Sequence, residues 1–264
     1  GIRTAVQTVT ARRLGQGLFK ESGMALRNGL ALATLYSLPT TFFVWRYSDS
    51  LARFFIKDPS ATPLTTDYVS IVFVGLLFSS YSFVFQGFFT GIEKTKIHMK
   101  VTITSNVLNV YLNAGLIYGS SGVQELFNEH LPTISFLSYF WGWANFPTLG
   151  VKGAAIATLI SSFWMAAHYA VSLLSKQTNE RYSVFRFSFD SEMMKRQVQL
   201  ALPQGLQESV IALGWGVFYK IVGIIGLVEL ATTELLFTIM HASFMPAMGV
   251  GQACSTLVSK YMGQ

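Results

Sequence analysis

Long apolar runs alternate with short polar stretches along the whole chain. Seven such runs cover residues 1–11, 24–45, 68–92, 101–118, 149–174, 198–226 and 228–259. A helix needs about 20 mostly apolar residues to cross roughly 30 Å of hydrocarbon, and these runs meet that length wholly or in part. They are continuous, whereas strands of membrane barrels are about ten residues long and alternate strictly. The pattern therefore predicts an all-α fold, a polytopic transmembrane helical bundle.

Composition supports this class of protein. Hydrophobic residues make up 51% of the 264 residues and charged residues 12%, with a mean hydropathy of +0.43. Soluble domains carry about 25% charged residues, so a soluble globular protein is excluded. The single cysteine, Cys254, lies in an apolar run and is predicted to be a buried thiol. Because the sequence has one cysteine, an internal disulfide is excluded.

The net charge of +6 reflects basic residues placed between the apolar runs, so no nucleic-acid partner is expected. Alternate loops divide these residues unequally. One side carries Arg12, Arg13, Lys20, Arg27, Lys94, Lys96, Lys100, Lys176, Arg181, Arg186, Lys195, Arg196 and Lys260, and the other carries Arg46, Arg53 and Lys57. Because cytoplasmic loops are enriched in Lys and Arg, the first side is predicted to be cytoplasmic.

Residues 119–150 contain no Lys or Arg and lie on the predicted outer side. This stretch carries five aromatic residues in close succession, Tyr139, Phe140, Trp141, Trp143 and Phe146. They suit either an aromatic belt at the lipid headgroups or a cap that binds substrate.

An internal repeat links the two ends of the chain. Residues 1–16 align without gaps with residues 249–264, with identity at Gly1, Ala5, Thr8, Gly15 and Gln16 and a lysine matching Arg12. Both copies run from the predicted outside to the inside. The spacing predicts two parallel repeats of six helices, an organisation typical of transporters.

Five motifs in order along the chain resemble those of the multidrug and toxic compound extrusion (MATE) family. They are G-x-x-T-A-x-Q-x-x-x-A-R-R-x-G at 1–15, GIEKTK at 91–96, NVLNVYLN at 106–113, GVKGAAIAT at 150–158 and FMPAMGVGQA at 244–253. The resemblance implies helices two to eight of a twelve-helix protein, the middle part of two parallel repeats. Residues 1–174 would form an amino-terminal lobe of helices two to six, without the first helix. Residues 175–197 would form a cytoplasmic linker, and 198–264 would open the carboxy-terminal lobe with helices seven and eight.

The same resemblance implies an activity. MATE transporters sit in the inner or plasma membrane and export small organic, often cationic, compounds by antiport against Na⁺ or H⁺ with alternating access. They work as monomers in the lipid bilayer, and they need no cofactor beyond the coupling ion.

The fourth run places Thr102, Asn106, Asn109 and Asn113 on one helical face. These side chains could bond neighbouring helices or line a cavity whose oxygens coordinate a hard cation such as Na⁺. By the resemblance, Asn109 and Asn113 are the candidate Na⁺ ligands, with an amide at Asn113 where relatives commonly have an aspartate. Gln86 in the third run and Thr158 in the fifth are the other predicted lining residues.

Glu208 and Glu234 are the acids predicted to lie within the membrane in the sixth and seventh runs, which also hold Lys220; Glu229 stands at the very start of the seventh run. With Gln204 and Gln207, Glu208 forms a polar patch near the inner end of its helix. Relatives often carry a glutamate eight residues after the proline of this helix, a position occupied here by Ile211, one turn from Glu208.

These residues are the predicted coupling site. An apolar environment disfavours a charged carboxyl, so Glu208 is predicted to exchange protons and bind an organic cation, with Gln204 and Gln207 orienting it. The alternative is an interfacial acid that reaches water. Lys220 lies at the same predicted depth as Glu234, so the two either pair, directly or through water, or Lys220 extends alone to the interface.

Enzymatic and metal-dependent functions find no support in the sequence. His168 and His241 have no second ligand three or four residues away, and no nucleophile elbow or phosphate-binding loop is present. Two alternatives to drug export remain. One is a lipid-linked oligosaccharide flippase of the same superfamily, for which Arg3, Lys152 and Lys220 supply little basic charge; the other is a non-transporting membrane protein.

Overall fold

The computed structural model describes residues 1–55, 62–130, 132–185 and 189–264, and within these ranges it contains helices and no strand. The helices are α1 (Ile2–Gly15), α2 (Phe19–Arg46), α3 (Ser48–Phe55), α4 (Thr62–Val74), α5 (Leu76–Gly91), α6 (Thr95–His130), a 3₁₀ helix (Pro132–Ser138), α7 (Tyr139–Gly142), α8 (Val151–Leu173), α9 (Lys176–Tyr182), α10 (Ser191–Ile225) and α11 (Leu227–Tyr261). The predicted all-α helical bundle is confirmed. Lys57 and Arg186, which entered the charge count, lie outside the described residues.

The chain divides into two compact units. The first comprises Gly1–Gly29, Gln86–Lys94 and Gln177–Gln264, and the second comprises Leu30–Phe85 and Thr95–Lys176. The predicted lobes, 1–174 and 198–264 with a linker at 175–197, stay a prediction.

The third apolar run, predicted as a span, consists of two helices in the structure. Helices α4 and α5 meet at Gly75 with a bend of 40°. The Gly75 N–H donates to the Val72 carbonyl at 2.9 Å, so a tighter three-residue turn replaces the α-helical bond at this point. The bend therefore has a local cause in the backbone.

The fourth run is longer than predicted, because α6 continues past its apolar part to His130. At Gly119 the backbone has φ 73° and ψ 166°, a left-handed conformation that glycine adopts without strain. The predicted outer stretch 119–150 thus begins as helix and continues through the 3₁₀ helix and α7.

Length and composition qualify fewer helices as membrane spans than the seven runs suggested. In the part of the chain that the structure describes, α8 and α10 meet both criteria, and α4 with α5 makes a third if the bent pair is one span. Helix α2 continues through Pro39, while α10 and α11 continue through Pro203 and Pro246.

Within the first unit, the two copies of the repeat pack against each other. A side chain at Gly15 would collide with the carbonyl oxygen of Lys260, and one at Gly263 would collide with that of Arg12. Gly15 corresponds to Gly263 in the repeat, and Arg12 corresponds to Lys260, so the two contacts are the same contact made twice. Such reciprocity characterises an interface with two-fold symmetry.

Described residues of the predicted linker region pack against α2 within the first unit. Tyr182 is 3% exposed, and its carbonyl lies against Gly23 of α2. The Asn28 amide donates to the Asp190 carbonyl at 2.8 Å, and the buried Gln197 amide donates to the Ala25 carbonyl at 2.8 Å. The start of α10 is thereby fixed to the start of α2.

Two cysteine variants should report the orientation of the chain. We expect Gln177→Cys in α9 to react with a membrane-impermeant maleimide only from the cytoplasm, and Asn128→Cys in α6 only from outside, since basic residues mark the inner side. Both positions are exposed. The neighbouring Thr178 is unsuitable for labelling because it is 1% exposed and accepts a hydrogen bond from Lys94.

The background for this labelling must lack Cys254. The structure places that thiol on an exposed face of α11, so the prediction of a buried thiol is wrong: no described element covers this face. Labelling of the two variants from the opposite sides would refute the orientation.

Candidate functional site

The predicted site residues fall into both units of the structure. Gln86, Gln204, Gln207, Glu208 and Glu234 belong to the first unit. Asn106, Asn109, Asn113 and Thr158 belong to the second. Each group is therefore described by itself.

Glu208 occupies the middle of α10, seventeen residues from either end. No charged residue lies between Arg196 and Glu208 or between Glu208 and Lys220. At 1.5 Å per residue, Glu208 is roughly 18 Å along the helix from Arg196, a large part of the hydrocarbon thickness. This depth favours an intramembrane acid over the interfacial acid considered from the sequence.

The immediate surroundings of Glu208 differ from those predicted. Its side chain is 62% exposed, and its carboxylate lies 3.3 Å from the backbone nitrogen of Gly1. Gln204 is half-buried and Gln207 exposed, and in the described structure neither donates a hydrogen bond to Glu208. Among the described residues the orienting bonds are not formed and this face of α10 is uncovered, so the role of these residues stays a prediction.

Glu234 and Lys220 are both exposed. Among the described residues, no direct ion pair joins them, so the predicted salt bridge is not formed. Neither charge therefore forms a direct pair with the other in the described structure.

Polar contacts between α1 and α11 were not singled out in the sequence. The buried Gln7 amide donates to the Thr256 hydroxyl at 2.7 Å and to the Gln252 carbonyl at 3.3 Å. With the Gln252 amide turned so that its oxygen faces α1, the Arg3 guanidinium donates to it at 2.9 Å. The spacing of four residues on both helices was the available signal, since it places each pair on one helical face.

An ion pair lies at the end of these helices that is predicted to be cytoplasmic. Lys260 of α11 lies 2.9 Å from both carboxylate oxygens of Glu93, in the turn after α5. The neighbouring Lys94 donates to Thr178 of α9 at 2.9 Å. This turn therefore ties α5 both to α11 and to the predicted linker.

The amide stripe on α6 bonds mainly along its own helix. Asn113 donates to the Asn109 side-chain oxygen at 2.9 Å, and Asn106 donates to the Thr102 carbonyl at 2.9 Å. These bonds are within α6, so the interhelical bonding considered from the sequence is not the arrangement found. Asn109 and Asn113 lie side by side as predicted for a cation site, but the Asn109 oxygen already accepts a hydrogen bond.

The remaining lining candidates are half-buried. Thr158 bonds to the Ala154 carbonyl of its own helix at 2.9 Å. Gln86 precedes Gly87, whose Cα lies against the Arg3 carbonyl of α1. Within the described ranges, no group of three or more His, Cys, Asp or Glu residues could hold a metal ion.

Comparisons with known proteins agree with this architecture. Residues 1–114 match the MatE family model. A probable multidrug resistance protein NorM of Thermotoga maritima is 26% identical over 198 residues, covering 75% of this chain and 37% of the relative. One from Agrobacterium fabrum is 23% identical over 269 residues, covering 100% of this chain and 52% of the relative.

Solved structures give the same result for the fold. A MATE crystallised in complex with MaD3S matches 100% of this chain and 54% of its own, with a TM-score of 0.80 and 21% identity. A multidrug resistance MATE family transporter in an outward-facing conformation matches with a TM-score of 0.79 and 21% identity, over 100% of this chain and 53% of its own. The resemblance to the MATE family is confirmed.

MATE and NorM proteins are membrane transporters and not enzymes, in agreement with the prediction from the sequence. The present chain spans about half the length of these relatives. Its MATE-like motifs GIEKTK and FMPAMGVGQA coincide with contacts found in the structure: the first contains Glu93 and Lys94, and the second contains Gln252.

Proposed function

We propose that the protein to which this chain belongs exports small organic cations across the inner or plasma membrane, acting as a monomer. Export would proceed by antiport against Na⁺ or H⁺ with alternating access. The multidrug resistance proteins among its relatives support this assignment, as does the MATE fold.

The observation that carries the proposal is the position of Glu208. It is a carboxylate at the midpoint of α10, a helix apolar and long enough to cross the membrane. An ionisable group at such depth is costly unless it faces water, a partner or a ligand. In this structure 62% of the Glu208 side-chain surface is not covered by protein. A solvated or ligand-filled space beside α10 would meet that requirement.

In the proposed mechanism, proton and substrate compete for one carboxylate. Deprotonated Glu208 holds the organic cation, and protonation from the outer side releases it. Glu234, exposed and without a direct ion pair in the described structure, offers a second negative charge nearer the start of α11. Asn109 and Asn113 are proposed as a subsidiary Na⁺ site, and Asn106, Thr158 and Gln86 as polar lining.

The test uses the full-length protein in proteoliposomes with an imposed proton gradient and a fluorescent organic cation. We expect Glu208→Gln to abolish gradient-driven export, because a neutral amide neither releases a proton nor attracts a cation. Glu192→Gln, the same change at an exposed position in the first turn of α10, should export at the wild-type rate. Wild-type export by Glu208→Gln would remove Glu208 from the mechanism.

The coupling ion is measured in the same vesicles. Export driven by a Na⁺ gradient that survives Glu208→Gln but fails in Asn109→Leu would assign coupling to the α6 amides instead. No export under either gradient by the wild-type protein would reject the transport proposal as a whole.

A further inference from the structure

Residues 132–150, between the end of α6 and the start of α8, contain no Asp, Glu, Lys, Arg or His. Within this stretch lie the 3₁₀ helix and α7. Its six aromatic residues are Phe136, Tyr139, Phe140, Trp141, Trp143 and Phe146. The structure separates them into a set turned towards α6 and a set turned away from protein.

The inward set fixes the segment to α6. The Trp141 indole N–H donates to the Tyr111 carbonyl at 2.8 Å, and the Tyr111 hydroxyl donates to the Phe140 carbonyl at 2.8 Å. The Trp141 ring also lies 5.2 Å from the Tyr111 ring and 5.8 Å from the Phe127 ring. Two hydrogen bonds and two ring contacts thus hold α7 in place.

Ser120, directly after the Gly119 break in α6, adds a second fixed point. Its hydroxyl donates to the Trp141 carbonyl at 2.6 Å and accepts from the Phe146 N–H at 2.7 Å. The Phe146 ring covers Gly115, on the other side of the break. The segment is therefore anchored on both sides of Gly119.

The outward set forms a surface that we call the aromatic platform, defined by Phe136, Tyr139, Phe140 and Trp143. These residues are 61%, 74%, 65% and 91% exposed. A rigid surface that presents an almost fully exposed indole needs an environment with both apolar and polar character, since Trp and Tyr have apolar rings and a polar group.

The position of the platform in the chain identifies that environment. Helix α8 begins at Val151, directly after the segment, and qualifies as a membrane span. A surface that immediately precedes a membrane span lies at the depth where the headgroups meet the acyl chains, and Trp and Tyr are enriched at that depth.

We propose that the aromatic platform binds the boundary between headgroups and acyl chains of the predicted outer leaflet, and that it favours zwitterionic over anionic lipid. The charge distribution supports the lipid preference. Residues 119–150 lack Lys and Arg, while Glu125 and Glu129 are exposed at the end of α6, with the imidazole of His130 3.8 Å from the Glu129 carboxylate. Two carboxylates without a compensating Lys or Arg in the segment repel an anionic surface.

The experiment measures tryptophan quenching in the full-length protein reconstituted in phosphatidylcholine vesicles. One variant keeps Trp141 and Trp143 of this chain, and a matched variant keeps Trp141 alone; every other tryptophan is replaced by phenylalanine. Subtracting the fluorescence emission of the second variant from that of the first gives the emission of Trp143. Lipids brominated near the carbonyl or near the methyl end of the acyl chain report its depth.

We expect Trp143 to be quenched about twofold more strongly than Trp141, and more by the shallow bromines than by the deep ones, because its indole faces lipid at the interface. Partial replacement of phosphatidylcholine by phosphatidylglycerol should weaken this quenching. Equal or stronger quenching in anionic vesicles would refute the lipid preference.

Two outcomes would overturn the platform's assignment. Quenching of Trp143 by aqueous iodide but not by brominated lipid would place it in water. Relief of lipid quenching on addition of a transported organic cation would identify a substrate cap. The readings with iodide and brominated lipid need no transported compound, so a failure of the transport proposal leaves them intact.

Discussion

Replacing Gly153 by leucine should prevent stable folding of the second unit. A side chain at this position of α8 would collide with the carbonyl oxygen of Leu116 in α6. That oxygen also accepts a hydrogen bond from the Leu149 N–H at 2.9 Å, so it cannot move away without breaking a second contact. The two helices would have to separate.

The cost follows from the core that surrounds this contact. Leu112, Leu116 and Ala157 are buried between α6 and α8, and separating the helices would expose them. Overpacking a core costs about 1–3 kcal/mol and occasionally more, and here the obstacle is a backbone oxygen that already accepts a hydrogen bond. We expect Gly153→Leu to yield little monodisperse protein in detergent and to lower the midpoint of thermal unfolding sharply.

Gly214→Leu is the matched control. It lies in the interior of α10, and no atom lies within 4 Å of the position that its Cβ would take. Leucine is also a better helix former than glycine, so this variant should behave like the wild type. A wild-type unfolding midpoint for Gly153→Leu would contradict the described α6–α8 contact.

Tyr182→Ala should produce the second large loss of stability. The ring is 3% exposed and meets Phe19 at 6.2 Å and Phe88 at 5.6 Å in edge-to-face contacts. The Arg181 guanidinium lies 4.2 Å from the centre of the Phe19 ring and extends this cluster. Removing a buried aromatic ring costs about 3–5 kcal/mol, and here it would also release α9 from α2 and α5.

Tyr182→Phe keeps the ring contacts and isolates the hydroxyl. Burial raises the pKa of Tyr182 above its ordinary value of 10.0, while the charge of Arg181 partly opposes this. The unfolded chain therefore loses this proton first, and wild-type stability should fall as the pH rises above 10.

Thermal unfolding at several pH values distinguishes these effects. We expect Tyr182→Ala to be destabilised at every pH, and Tyr182→Phe to be close to the wild type at pH 7 with a weaker decline above pH 10. An unfolding midpoint for Tyr182→Ala equal to that of the wild type would show that the cluster does not hold α9.

The helical class of the fold could be predicted from the sequence because it depends on long apolar runs, a property of each segment alone. The breaks at Gly75 and Gly119 could not. A glycine within an apolar run is compatible with continuous helix, and its effect depends on the chain that packs beside it. The repeat was visible as sequence identity, but its packing against itself was not, because alignment gives no distances.

The sequence could indicate which residues form the candidate site, but it could not predict what surrounds them. Glu208 attracted attention as an acid in an apolar run, yet its 62% exposure depends on which face of α10 other helices cover. The exposure of Thr178 and Cys254 likewise differs from what their positions in the sequence suggest. A polar residue of a charged segment is buried, and a thiol of an apolar helix is exposed.

The reciprocal contact between α1 and α11 has a consequence for how single copies of the repeat could pair. Gly15 meets Lys260 as Gly263 meets Arg12, which is the arrangement that two identical chains adopt in a symmetric dimer. A chain carrying a single copy of this repeat could therefore pair with a second copy of itself through the same contact. The two glycines are the residues that let the backbones touch, so either one is expected to be as sensitive to a larger side chain as the other.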